Sequence, residues 1–232
     1  MSRALGVVAA GAVALTVVLG LFVTPPDVVQ GELVRLIYLH PPIAWVMYVA
    51  FAVTALASAL YLLPNTRSRM WDLVAGASAE IGVVFCALAL ATGSIWGRPT
   101  WGVWWTWDAR LTTTALLLAL FLGYLALRRV PADIATRSKR SAVAALVAFA
   151  DVPLVHMSVK WWRTLHQEPT VLRPDPQIHG SQAWTMLLGF LAMTLLYAWL
   201  LVHRFRVEQL EEQLEVEGLD RALADRHAEV PA

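Results

Sequence analysis

The sequence predicts an all-α fold, a polytopic membrane protein with six transmembrane helices, and three observations carry that expectation. Of 232 residues, 58% are hydrophobic and only 15% charged, whereas about a quarter of a soluble domain is charged. Mean hydropathy is +0.59. Six apolar stretches recur along the chain, each near the ~20 residues that a helix needs to cross a bilayer. Such spans consume roughly half the chain and exclude a large extramembrane enzyme domain.

The first stretch, 4–23, follows Arg3. Its apolar core is longer than that of a signal peptide and no small-x-small cleavage site precedes Pro25, so it reads as a retained helix. The second, 43–63, begins just after His40, Pro41 and Pro42. The third, 73–95, contains Glu80 and the lone Cys86, which excludes a disulfide framework, a Cys-x-x-Cys pair and a thiolate zinc site. The fourth, 111–127, stops at Arg128 and Arg129. The fifth, 142–159, contains Asp151 and Pro153, and the sixth is 183–202. Carboxylates inside apolar runs are costly, so Glu80 and Asp151 are expected to be neutral or paired at helix contacts, with Asp151 serving a backbone group freed by Pro153. No fixed period repeats, which leaves an inverted-repeat transporter without support. The net charge of +1 gives no argument for nucleic acid.

Orientation follows from Lys and Arg. One set of segments holds Arg3, Arg67, Arg69, Arg128, Arg129, Arg137, Lys139, Arg140, Arg204, Arg206, Arg221 and Arg226. The opposite set holds half as many, namely Arg35, Arg98, Arg110, Lys160, Arg163 and Arg173. The positive-inside rule puts both termini in the cytoplasm and three longer loops outside. Residues 1–206 are expected to form the membrane domain. Residues 207–232, with Glu208, Glu211, Glu212, Glu215 and Glu217 beside Leu210 and Leu214, form a charged, helical cytoplasmic tail.

Tryptophan is in excess, with 11 Trp against 5 Tyr and 7 Phe. An aromatic belt distributes Trp over both interfaces, yet Trp96, Trp101, Trp104, Trp105 and Trp107 fall within twelve residues of one outer loop, and Trp161 and Trp162 lie in another. If 100–110 forms a helix on the membrane surface, Trp101, Trp104 or Trp105, and Asp108 share one face. The result is an aromatic platform edged by a carboxylate, suited to a large planar apolar ligand. Gly93, Gly97 and Gly102 permit close approach. Asp108 and Arg110, two residues apart, do not face each other on a helix and are expected to have separate partners. Arg110 suits a ligand carboxylate.

The run Trp-Gly-x-x-x-x-Gly-x-x-Trp-x-x-Asp-x-Arg-Leu-Thr over 96–112 resembles the signature of the tryptophan-rich haem-handling membrane proteins of c-type cytochrome maturation. The six-span length, the segment from Tyr38 to Trp45 and the segment from Ser158 to Gln167 are similar to the CcmC (haem exporter protein C) family of the bacterial System I pathway. The similarity covers about 37–199. It implies a bacterial inner-membrane protein that holds haem b at its periplasmic face, with Trp96, Trp101, Trp104, Trp105, Trp107, Asp108 and Arg110 in the binding surface. Arg98 or Arg163 are weaker candidates for the haem propionates.

Topology places His203 and His227 on the side away from the platform, and His40, His156, His166 and His179 on or near its side. The resemblance selects His40 and His166 as bis-histidine axial ligands, leaving His156 to packing or support and His179 to solvent. It further implies a periplasmic haem chaperone as acceptor, the ATPase and membrane subunits of an ATP-binding-cassette complex, and a small single-span membrane subunit as partners. No Walker motif is present in the chain, so ATP chemistry is expected in partners. The protein is expected to be a transfer factor rather than an enzyme. Its alternatives are a haem transporter lined by Glu80 and Asp151, and a structural subunit whose Trp loop docks a partner.

Overall fold

A computed structural model describes residues 2–166 and 178–229, with side chains described through most of the chain to Gly218. Gln167 and Arg173 lie outside the described residues, and the side chains of Glu215, Arg221, Arg226 and His227 are outside the described set. Among the described residues the fold is helical: α1 (Ser2–Val18), α2 (His40–Leu62), α3 (Arg69–Trp101), α4 (Ala109–Arg129), α5 (Ile134–Phe149), α6 (Asp151–Trp161) and α7 (Gly180–Glu229). A π-helical turn, Leu19–Val23, extends α1, and a 3₁₀ segment, Glu32–Tyr38, leads into α2. Six helical segments are long and apolar enough to span a membrane. Each corresponds to one predicted stretch, the second ending at Leu62 rather than Leu63.

Two sequence features set the helix boundaries. Pro153 lacks an N–H, and its ring clashes with the carbonyl four residues earlier, so the fifth span breaks between Phe149 and Asp151 into α5 and α6. Capping side chains begin other helices: Ser68 accepts from the Met70 N–H, Asp133 from Thr136 and Asp108 from Leu111. Helix α7 crosses position 206 without a break.

The core lies where α2 packs along α3, with α4, α5, α6 and α7 around the pair. Phe51 stacks on Phe121 with centroids 3.8 Å apart, and Val46, Ala50 and Leu117 are fully buried beside them. Two hydroxyls in this core share one acceptor: Ser78 donates to the Ala50 carbonyl at 2.8 Å and lies 2.8 Å from the Tyr197 hydroxyl, and Thr54 donates to the Ala50 carbonyl at 2.9 Å. Helix α1 packs chiefly on α7.

The end of the bundle away from the tryptophans is tied by charge. Asp72 is buried and accepts from Arg128 at 2.7 Å and from Arg69, and Arg69 reaches Glu212 on α7 at 2.5 Å. Glu80 pairs with Arg204, which meets the expectation of an ion pair at a helix contact. Asp151 differs. Both its oxygens are buried without a hydrogen-bond partner, so it does not serve the backbone group freed by Pro153. Removing one partner from a buried ion pair strands the other charge, at a cost of about 3–5 kcal/mol. Asp72→Ala is therefore expected to lower the unfolding temperature in detergent far more than Glu211→Ala, whose carboxylate is mostly exposed. A thermal melt of the two variants checks this.

Candidate functional site at the tryptophan-rich end

The tryptophan segment is not a surface helix. Helix α3 continues to Trp101 and stops at Gly102, whose φ of 80° is a left-handed conformation that side-chain-bearing residues disfavour. The Gly102 N–H donates back to the Arg98 carbonyl at 3.0 Å, and Arg98 Nη1 donates to the Gly102 carbonyl at 2.8 Å. Arg98 is thus a cap for its own helix. Residues 103–108 are non-helical until Asp108, extended at ψ 151°, begins α4. Trp101, Trp104, Trp105 and Asp108 consequently do not share a helix face. The platform is a helix end followed by an extended strap.

Tryptophans divide by environment. Trp96 and Trp101, on the last turns of α3, are partly buried and each meets a histidine edge-on: Trp96 against His40 at 5.8 Å and Trp101 against His166 at 4.7 Å. Gly97 lets Trp101 fold back on its own helix, since a Cβ there would sit 2.9 Å from the indole. Trp104, Trp105 and Trp107 are exposed, Trp107 at 81%, as are Trp161 and Trp162, which pack edge to face at 5.9 Å. These exposed indoles lie on the strap after α3 and at the end of α6, the two segments that flank Trp101 and His166 in the chain.

His40 opens α2, immediately before two prolines that fit the first turn of a helix, and its Nδ1 lies 2.9 Å from Thr92 Oγ1 on α3. His166 lies beyond α6, where Thr164 accepts from the His166 N–H at 3.0 Å. Asp108 organises this second loop. Its Oδ1 accepts from the Leu111 N–H at 3.1 Å, and its Oδ2 accepts from the Leu165 N–H at 2.9 Å and from the Thr164 hydroxyl. The His166 Nδ1 faces the same carboxylate at 3.4 Å. Among the described residues neither histidine's Nε2 has a hydrogen-bond partner.

Electrostatics follow from these contacts. Burial alone raises the Asp108 carboxyl, but the Thr164 hydroxyl, the Leu111 and Leu165 N–H groups and His166 outweigh it and hold it below the usual carboxylate value. His166 is pushed below the ordinary imidazole range, chiefly by burial and also by Arg110, against the opposing pull of Asp108. Arg110 diverges from Asp108. Its Nη2 donates to the His156 carbonyl at 3.2 Å, its buried Nε has no partner, and no carboxylate pairs with it among the described residues. It lies close enough to interact electrostatically with both His40 and His166.

The other histidines stand apart. His156 contributes its carbonyl to Arg110 and sets its ring edge-on to Tyr48 at 6.2 Å, His179 is exposed, and His203 packs against Trp199 near the opposite end of the bundle. Among the described residues no group of three or more His, Cys, Asp or Glu side chains could hold a bare metal ion. Two lone imidazoles suit a metal already held by a macrocycle. Sequence reasoning does not single out Thr92 or Thr164. Thr92 bonds the Leu88 carbonyl four residues earlier, as a helical threonine ordinarily does, and only the folded contacts reveal its second use, as they do that of Thr164 in its loop.

Comparison with known proteins agrees with the architecture. Residues 1–219 match the family model described as CcmC, heme exporter protein C. The chain is 37% identical over 223 residues to the heme exporter protein C of Bradyrhizobium diazoefficiens, covering 94% of this chain and 83% of that protein. It is 39% identical over 192 residues to the Escherichia coli K12 protein of the same name, covering 80% and 76%. A ccmC-like mitochondrial protein of cytochrome c biosynthesis from Marchantia polymorpha is 35% identical over 177 residues, 76% and 74% of the two chains. With the family match spanning nearly its whole length, this multi-pass membrane chain belongs to the heme exporter protein C family, CcmC.

Proposed function

We propose that the chain binds haem b at the periplasmic face of the bacterial inner membrane and presents it to a periplasmic chaperone for covalent attachment during c-type cytochrome maturation. His40 and His166 bind the iron from opposite faces through Nε2. Trp96 and Trp101 wall the pocket, and Trp104, Trp105 and Trp107 offer an aromatic surface to the exposed haem edge. Arg110 meets a propionate. Asp108 holds the His166 loop. The observation that carries this reading is the matched treatment of two histidines from distant parts of the chain: each Nδ1 is engaged by a protein oxygen, each ring abuts a tryptophan of α3, and among the described residues each leaves Nε2 without a partner.

In this reading both termini are cytoplasmic, and residues 207–232 form a tail that continues α7. ATP hydrolysis resides in the ATPase subunit of an ABC-type complex, which with its membrane subunits and a small single-span subunit completes the assembly. The chain has no turnover of its own. The names of its relatives, heme exporters and a protein of cytochrome c biosynthesis, support haem delivery as the common role.

Purified full-length protein tests the proposal. Wild type is expected to carry haem with a low-spin Soret spectrum, and His40→Ala and His166→Ala are each expected to shift it toward five-coordinate, high-spin haem. Unchanged spectra in both variants would refute the axial assignment. A cysteine placed at Val103, exposed on the strap, is expected to label from the periplasmic side of intact cells. Labelling only from the cytoplasm would overturn the orientation.

A further inference from the structure

We infer that the two histidines are unequal ligands by construction: Thr92 positions His40 as the exchangeable one, while Asp108 makes His166 the anchor. This rests on the bis-histidine reading above and extends it to the order in which the ligands let go.

A hydroxyl has one proton to donate. That of Thr92 is directed at its own helix, with Oγ1 2.7 Å from the Leu88 carbonyl and 3.3 Å from that of Ala89. Toward His40 the oxygen acts as acceptor, so the proton of the neutral imidazole resides on Nδ1 and the lone pair on Nε2. The Thr92 contact thereby fixes both the tautomer and the ring direction of His40. Its acceptor is nonetheless a neutral oxygen already polarised by donating elsewhere.

His166 has a different backing. Its Nδ1 faces a carboxylate. The charge of that carboxylate is stabilised by two backbone N–H groups and the Thr164 hydroxyl, whose single proton is likewise committed to Asp108. An imidazole donating to a carboxylate is a stronger metal ligand than one donating to a neutral oxygen, because negative charge behind the ring raises the basicity of the distal nitrogen. Arg110 acts in the same direction on both rings.

The asymmetry has a use in transfer. A cargo clamped by two equal ligands must break either bond at the same cost before it leaves. Unequal ligands open one defined face while the other holds the haem in register. The structure assigns that opening to the His40 side.

The test uses haem-loaded full-length protein, reduced and mixed with carbon monoxide, which must displace an axial histidine to bind. Thr92→Val removes the hydroxyl at nearly constant shape. It is expected to speed displacement about tenfold, within the range typical for losing a group that supports a metal ligand. Thr92→Ser, which restores the acceptor, is expected to return the wild-type rate. His40→Ala is expected to retain haem at least tenfold better than His166→Ala. Equal displacement rates in Thr92→Val and wild type, or greater haem loss in His40→Ala than in His166→Ala, would overturn the asymmetry while leaving bis-histidine binding intact. If neither alanine variant changes the spin state, the axial reading itself fails and the asymmetry with it.

Discussion

Asp108→Ala is expected to abolish haem retention while leaving a membrane-inserted, helical protein. The carboxylate caps α4, and loss of an N-cap costs about 1 kcal/mol. The larger loss is local. Without the carboxylate the part-buried Leu165 N–H and Thr164 hydroxyl lose their acceptor, at about 1 kcal/mol each. No other hydrogen bond ties 164–166 to α4 among the described residues, so the loop carrying His166 is released and the ring loses its orientation. Asp108→Asn keeps the cap and one acceptor oxygen but removes the charge, and is expected to retain haem at an intermediate level with a weakened axial ligand. Haem content of purified variants, normalised to protein and compared with circular dichroism, separates release of the loop from unfolding.

The same contacts give a pH dependence with a definite sign. The folded-state pKa of His166 is depressed below its ordinary 6.5, so the unfolded state binds more protons as pH falls and the folded state loses stability below that value. Protonation also occupies Nε2, the nitrogen assigned to iron. Asp108 is depressed below 3.8, so its contribution is fully present above that value and is lost as pH falls through its lower folded value. Acid titration of the haem-free protein is therefore expected to charge His166, and so to block haem uptake, before the loop itself detaches at the more acidic Asp108 range. Spectral titration followed by proteolysis of the loop checks the order. Simultaneous loss of both would show that the ligand and its support do not titrate separately.

The spans were legible in the sequence because lipid imposes a length and a composition that ordinary hydropathy detects; four of the six stretches lie within observed helices, the second overruns its helix by Leu63, and the fifth is divided between α5 and α6. The break at Pro153 has a local cause that the sequence displays. The tryptophan strap was less legible. Three- and four-residue spacing between Trp101, Trp104, Trp105 and Asp108 fits a helix, but Gly102 ends α3 and Asp108 begins α4, and these two local signals override the periodicity. Sequence density also made the tryptophans look like one surface, whereas among the described residues of that cluster it is Trp96 and Trp101 whose rings meet His40 and His166. Thr92 was invisible for a different reason. Its partner His40 lies 52 positions away, and nothing in either local sequence records a contact that depends on the packing of α2 against α3.

Arg110→Gln is expected to weaken haem binding about tenfold or more, and the loss is expected to vanish when the haem propionates are esterified. Arg110 has no ion pair among the described residues, although Asp108 lies near enough to act on it electrostatically. One nitrogen donates to the His156 carbonyl, buried Nε has no partner, and no carboxylate pairs with it among the described residues. A half-buried guanidinium in that condition favours an incoming anion, and a charged hydrogen bond contributes about 1.5–3 kcal/mol, a factor of roughly ten to a hundred. Glutamine keeps donors without charge, so the variant isolates the electrostatic part. Haem and its dimethyl ester, each titrated into wild type and variant, close a double cycle. If the propionate is the partner, wild type loses affinity on esterification and the variant does not. Parallel losses in both proteins would instead assign Arg110 to holding α6 through the His156 carbonyl. That contact predicts lower thermal stability in the variant irrespective of which haem is bound.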